Sequence, residues 1–237
     1  MPVVFDIDGT VTRTYSLDQE LFSRAFFEVY GWRLDTDWTH YRHPTDEGIT
    51  VEALGRCFGR EAVSAEIESI RKCYMTLLQS EMGHDPKTLQ VSGAGEAIQK
   101  LLDSGYRVAF ATGSWKAAAR LKLERAGIDI ESFPSATCDD SFDRFEILRL
   151  AISRAAALRP GADAVYVGDG PWDLDVSRRL RVPFIGIDCE QSGCLAALGV
   201  KHVLPDFRDL DGFIAAIEEV RGKRAMTPRE IIKTKQL

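Results

Sequence analysis

The chain has no long apolar run, no basic surplus and few cysteines, and each absence removes a class of protein. No hydrophobic stretch is long enough to cross a bilayer as a helix, so no membrane partner is expected. With 30 Lys and Arg against 36 Asp and Glu the formal net charge is −6, the wrong sign for gripping a nucleic-acid backbone. A small anionic substrate needs only local positive charge and stays open. The five cysteines, Cys57, Cys73, Cys138, Cys189 and Cys194, are odd in number and form no Cys-x-x-Cys pair. That is the usage of a reducing compartment rather than of a disulfide framework. The opening Met-Pro-Val-Val-Phe has no basic segment before its apolar residues and reads as a first strand, not a signal peptide, so a cytoplasmic location is expected. Neither an internal repeat nor a low-complexity segment is present. What remains is an ordinary globular composition: 237 residues, 45% hydrophobic and 28% charged, enough for one large core with or without a smaller domain.

Short apolar runs recur at the start, at 106–112, at 164–169 and at 182–188. They are continuous rather than alternating, as strands covered on both faces are. Helical patterns lie between them: Ala94, Ala97, Ile98, Leu101 and Leu102 stopped by Gly105, then Ile147, Leu148, Ala151, Ile152 and Ala155. Strand and helix in alternation predict an α/β fold, a doubly wound parallel sheet. The anomaly is the gap of roughly ninety residues between Thr10 and Tyr106, where a crossover needs little more than a dozen. Much of it is helical by pattern. Ser16 with Gln19 predicts a capping box ahead of Leu21, Phe22, Ala25, Phe26 and Val29, with Gly31 as the stop; Ile67, Ile70, Tyr74, Leu77 and Leu78 line a second helix. The economical division is a core of residues 1–13 and 89–220, an inserted helical domain at 14–88 with Asp85-Pro86 as a hinge, and a basic tail at 221–237. That tail holds a short helix capped by Thr227, Pro228 and Glu230.

In an open parallel sheet, ligands sit beyond the carboxyl ends of the strands. Strand one ends in Asp6 and Asp8; the strand at 106–112 runs into Thr112, Gly113 and Ser114; the strand at 164–168 runs into Asp169 and, four residues on, Asp173. Singly these are turn residues, a helix cap and a first-turn acid. Together they are costly unless a cation sits among the carboxylates. Oxygen ligands without His or Cys select a hard ion, magnesium above all.

The segments F-D-I-D-G-T, A-T-G-S and V-G-D-G-P-W-D, in that order, resemble motifs one, two and four of the haloacid dehalogenase-like hydrolases, over residues 3–188 in outline. The inserted helices resemble the cap that one branch carries after strand one, and Arg42-His43-Pro44-Thr45-Asp46 resembles a segment in caps of its phosphoglycolate phosphatase-like members. The resemblance implies Asp6 as nucleophile and Asp8 as general acid and base. It implies Thr112 holding phosphoryl oxygens with Gly113 and Ser114, and magnesium held by Asp6, Asp8, Asp169 and Asp173. The third motif departs from the common Lys-Pro form, for no such pair occurs between 123 and 200. Arg144, 25 residues before Asp169 and at a helix start, is the best match, with Arg149 the runner-up. Arg42 and His43 are candidate substrate contacts, as are Arg13 and His40; Trp172, between the metal acids, is expected to be a wall.

These residues suit a magnesium-dependent phosphatase acting on a small phosphorylated metabolite, with Asp6 attacking and Asp8 moving the proton. A dehalogenase would not need Asp8, and phosphonate cleavage through a cap lysine is disfavoured because residues 14–70 contain no Lys. A phosphomutase of the beta-phosphoglucomutase type uses the same acids and stays open. A signalling receiver would carry its accepting Asp on the third strand and no insert. A non-catalytic binding protein would be expected to have lost Asp6 or Asp8. A monomer or homodimer is expected.

Overall fold

The continuous apolar runs become strands buried on both faces. The computed structural model describes residues 1–156 and 163–222. In chain order the elements are β1 (Pro2–Phe5), α1 (Tyr15–Tyr30), α2 (Asp46–Phe58), α3 (Ser64–Glu81), α4 (Pro86–Leu89), α5 (Ala94–Asp103), β2 (Arg107–Ala111), α6 (Lys116–Arg125), β3 (Ser135–Ala136), α7 (Arg144–Ala156), β4 (Val165–Gly168), α8 (Pro171–Leu180), β5 (Phe184–Ile187), α9 (Cys194–Ala197), β6 (Val203–Leu204) and α10 (Leu210–Gly222). The sheet order is β3-β2-β1-β4-β5-β6, and every pairing is parallel. The chain winds outward from β1 in one direction and from β4 in the other. The crevice where the order reverses therefore lies at the carboxyl ends of these two strands.

Alternation along β1 divides the core. Val3 and Phe5 face one side with Phe110, Val165 and Val167, covered by the apolar stripes of α5 and α10. Val4 faces the other with Ala109 and Tyr166, covered by Ile147, Leu148, Ala151 and Ala155 of α7. The second cluster does not stop at the sheet. It runs into the helices inserted between β1 and β2 through Phe22, Phe26, Tyr74, Leu77 and Leu78. Phe22 is the hub, with ring centroids 5.3 Å from Tyr74, 5.6 Å from Phe26 and 5.8 Å from Trp115 on the sheet side. Losing a buried aromatic of this kind typically costs ~3–5 kcal/mol.

Local expectations met different fates. Gly31 does end α1, in the left-handed conformation. The expected capping box at Ser16 and Gln19 is absent, because α1 begins one residue before Ser16. Ser16 instead donates to Glu190, and Gln19 to the Thr36 carbonyl. Asp85 and Pro86 start the one-turn helix α4, with Asp85 capping the Lys87 amide. The two connections to the insert run side by side: the Arg13 amide donates to Leu89 at 2.7 Å, and the Val91 amide to Val11 at 2.9 Å. Of the basic tail expected at 221–237, residues 221 and 222 end α10; the rest, where a short capped helix is expected, lies outside the described residues.

Candidate active site

Asp6 sits just past β1, its amide donating to Val167 on the neighbouring strand, so the switch-point crevice receives its carboxylate. The turn that follows needs Gly9. Its φ is +78°, and a Cβ there would fall 2.0 Å from Asp169 Oδ2. Asp169 leaves β4 on the adjacent strand, and Asp173 comes from the first turn of α8. Asp6, Asp169 and Asp173 each offer an oxygen within 4.8 Å of the others. Asp173 is the most committed: it accepts from Arg144 Nη1 at 2.8 Å, from the Tyr166 hydroxyl at 2.7 Å and from the Gly170 amide at 3.0 Å. Asp6 is the least satisfied. Its Oδ1 is buried with no hydrogen-bond partner, and Arg144 Nη1 stands 3.6 Å away. Burial, then the charge of Asp173, raises the Asp6 pKa well above the ordinary 3.8, with Arg144 opposing. Burial, then Asp6 and Asp173, raises Asp169 likewise. An orphaned carboxylate oxygen among mutually repelling acids, with only oxygen donors, fits a hard divalent cation such as magnesium.

Arg144 opens α7 and reaches in beneath the insert. Its Nε donates to the Pro44 carbonyl at 2.8 Å, and its guanidinium lies 5.5 Å from the Trp172 ring centroid. Gly113 makes room for it: a Cβ at that position would lie 2.7 Å from Arg144 Nη2 and 3.0 Å from the Pro44 carbonyl oxygen. Arg149, the alternative cation, points away and pairs with Glu146 on the exposed face of α7. Helix periodicity puts the two arginines, five residues apart, on different faces.

Asp8 faces the same cavity but not the acid trio. Its Oδ1 accepts from the Thr14 hydroxyl at 2.5 Å, and its Oδ2 accepts from Ser114 Oγ at 3.0 Å and from Lys122 Nζ at 2.9 Å. Burial alone would push Asp8 up; the Lys122 ammonium and these hydrogen bonds outweigh it and hold the carboxyl below its ordinary value. The other expected phosphoryl contact, Thr112, turns its hydroxyl oxygen to the Ser114 amide at 3.1 Å and shapes the turn. Gly113 and Ser114 line the cavity between Asp6 and Asp8.

That cavity is about 40 Å³, roofed by Tyr15, Phe22, Trp38 and Trp172. Tyr15 and Trp172 stack at 6.3 Å, so Trp172 is a wall, as its position between the acids suggests. Arg42 and His43 line a different cavity of about 260 Å³, on the far side of Pro44 and Trp172. Arg42 is exposed, and the His43 ring meets Phe142 edge-on at 4.9 Å. Arg13 is held by the Gln90 carbonyl and Ser92, and His40 by Asp35 at 2.7 Å and Asp37 at 3.4 Å.

Sequence reasoning missed the group behind Asp8. Lys122 is completely buried, and its ammonium donates to Asp8, to Ser114 Oγ at 3.2 Å and to Asp18, which also accepts from the Tyr74 hydroxyl. Two carboxylates share one ammonium, and burial leaves Asp18 pushed up while Asp8 is held down. Asp46, the last residue of the Arg42–Asp46 segment, accepts from the Trp115 amide at 2.8 Å; burial, then Asp18, pushes its pKa up to about 8. A faint signal existed. Ala118, Ala119, Lys122 and Leu123 share the buried stripe of α6, so the lysine stands where an apolar residue is expected.

No protein of curated function matches the sequence. Solved structures that match share the fold at low identity. A hydrolase from Pseudomonas syringae is 20% identical over 89% of this chain and 97% of its own, with a TM-score of 0.71. A candidate beta-phosphoglucomutase from Bacteroides vulgatus is 17% identical over 92% and 89%, at 0.70. CbbY from Rhodobacter sphaeroides, in complex with phosphate, is 19% identical over 88% and 95%, at 0.68. A profile of the haloacid dehalogenase-like hydrolases matches residues 3–180, three quarters of the sequence and every strand-end acid of the crevice. The chain belongs to the haloacid dehalogenase-like hydrolase family.

Proposed function

We propose that the protein is a magnesium-dependent phosphatase that hydrolyses a small phosphate monoester through a phosphoryl group carried on Asp6. The observation that carries this reading is Asp6 Oδ1, reached by no hydrogen bond and buried between Arg144 and two further carboxylates with Asp8 across the same small cavity. Asp6 and Asp169, with Asp173 beside them, would hold the ion, and its charge would offset the repulsion between a carboxylate and a phosphate dianion.

Asp6 attacks phosphorus in line; the ester P–O bond breaks, and the leaving oxygen takes a proton from Asp8. Asp8, now a carboxylate, removes a proton from water as that water attacks the phosphorus of the aspartyl phosphate and the P–O bond to Asp6 breaks. Inorganic phosphate leaves and Asp6 is restored. Lys122 favours the Asp8 carboxylate, which suits the second half of the cycle. A phosphate dianion arriving nearby favours its protonated form, which suits the first. Arg144 and the Gly113–Ser114 turn face the phosphoryl oxygens and stabilise the charge that builds there.

A cavity of about 40 Å³ admits no more than a few waters, so the substrate enters when the inserted helices, acting as a cap, move away on the two hydrogen-bonded connecting segments at 11–13 and 89–91. A reducing, cytoplasmic setting is consistent with the scattered thiols, none of which is paired among the described residues.

The test is hydrolysis of p-nitrophenyl phosphate and a panel of phosphorylated metabolites, with magnesium and with excess chelator. Intact-protein mass spectrometry would look for the phosphoryl adduct. We expect activity only with magnesium, and an adduct that disappears in Asp6→Asn. Undiminished turnover in chelator, or an adduct that survives Asp6→Asn, would falsify the mechanism.

A further inference from the structure

A fully buried lysine is an expensive choice. Its ammonium must be desolvated, and an apolar residue of the same length would fill the space on α6. Lys122 instead directs its three donor hydrogens to three oxygens from three parts of the chain: Asp8 on the loop after β1, Ser114 after β2, and Asp18 on α1 of the inserted helices. Asp18 is fixed in turn by the Tyr74 hydroxyl from α3. The Thr14 hydroxyl, immediately before α1, closes the other oxygen of Asp8 and meets Thr12 Oγ1 at 2.5 Å. The Asp8 carboxylate is thus pinned on one oxygen by Thr14, at the start of the insert, and on the other by Ser114 and Lys122 of the core, with Lys122 in turn tied to the inserted helices through Asp18. Moving those helices off the sheet would strip Lys122 of Asp18 and leave an under-compensated charge beside Asp8.

We propose that Lys122 is a positioning residue that sets the Asp8 carboxylate in place and couples it to docking of the inserted helices through Asp18. This rests on the phosphatase reading for the role of Asp8, but the physical tie between core and insert stands apart from it. In the undocked state Asp8 loses part of its anchorage, so the proton-transfer group is fully ordered only over a closed site.

The test compares kcat/KM for p-nitrophenyl phosphate with that for phenyl phosphate, whose leaving group is more basic and needs the proton more. Lys122→Met keeps length and removes the charge. It should cost at least tenfold more on phenyl phosphate than on p-nitrophenyl phosphate. In an Asp8→Ala background it should cost less than about twofold, because the group it positions is gone. Asp18→Asn keeps the shape and should produce the same leaving-group bias, at roughly three- to tenfold. Equal losses on both esters, or a loss that simply multiplies with Asp8→Ala, would overturn the proposal and leave Lys122 a packing residue. If Lys122→Met does not fold, the ester bias of Asp18→Asn decides alone. If the wild-type protein hydrolyses neither ester, the phosphatase reading fails. The tie is then read from urea midpoints of Lys122→Arg, Asp18→Asn and the double variant: non-additive shifts support it and additive ones refute it.

Discussion

Replacing Arg144 with alanine removes the one cation that the described residues place among Asp6, Asp169 and Asp173. At an effective dielectric of about 20, unit charges at the observed 2.8 and 3.6 Å attract by roughly 5–6 kcal/mol before desolvation is subtracted. Breaking a buried pair by deleting one partner typically costs ~3–5 kcal/mol, because the other charge stays behind. Arg144→Ala should therefore lower unfolding stability by about that amount in chelator. Magnesium should recover part of the loss, since on the proposed reading the ion would bind the same acids in the folded state. In turnover, losing the contact proposed between Arg144 and the phosphoryl group should cost roughly a hundred- to a thousandfold. Arg144→Lys restores a charge but not the flat donor set that reaches Pro44, Asp173 and the Trp172 face together, so it should recover only part of the rate. Arg149→Ala is the control: its pair with Glu146 is about half exposed, and the rate should change by less than about twofold. The assay is p-nitrophenyl phosphate turnover with urea unfolding of each variant, with and without magnesium. If Arg144→Ala folds normally and keeps more than a third of the wild-type rate, the electrostatic reasoning is wrong.

Two further outcomes follow from the geometry. Gly113→Ala places a methyl 2.7 Å from Arg144 Nη2 and should displace the guanidinium, lowering turnover by ~10–100-fold with the 1–3 kcal/mol of overpacking usual for such insertions; an unchanged rate would show that Arg144 need not hold its present place. The metal-free protein should lose stability as pH rises from about 4 to about 8. Asp46 titrates near 8 when folded against 3.8 ordinarily, and Asp6 and Asp169 are raised too, so the folded state binds more protons across that window. Asp8, held low, acts only below that window. Asp46→Asn should flatten the slope of a urea-midpoint titration, and a wild-type midpoint that rises with pH across that window would contradict the assignment.

Much of the site was legible because strand-end chemistry is local. Asp6, Asp8, Asp169 and Asp173 follow short apolar runs, and a parallel sheet brings the carboxyl ends of its strands to one edge whatever else the chain does. The division of labour between Arg144 and Arg149 was half legible, since periodicity separates their faces but does not say which face meets the crevice. Two-residue strands such as β3 and β6 leave no pattern of their own and exist because a neighbouring strand supplies hydrogen-bond partners. Arg42 and His43 read as substrate contacts by their place in a motif; only the fold could put Pro44 and Trp172 between them and the acids.

By itself, the sequence determined the alternation of strands and helices, the insertion after strand one, and the carboxylates Asp6, Asp8, Asp169 and Asp173 at the strand ends, because each is written in residues close together along the chain. The tertiary structure alone decided that Asp8 is held by Lys122 and Thr14 rather than joining the acid trio, that Asp173 orients Arg144, and that one apolar cluster runs unbroken from the sheet into the inserted helices. The reason is physical: a lysine on a helix of charged and small residues looks solvated until two acids, 114 and 104 residues away in sequence, are folded against it, and only then does a buried ammonium become the more stable state.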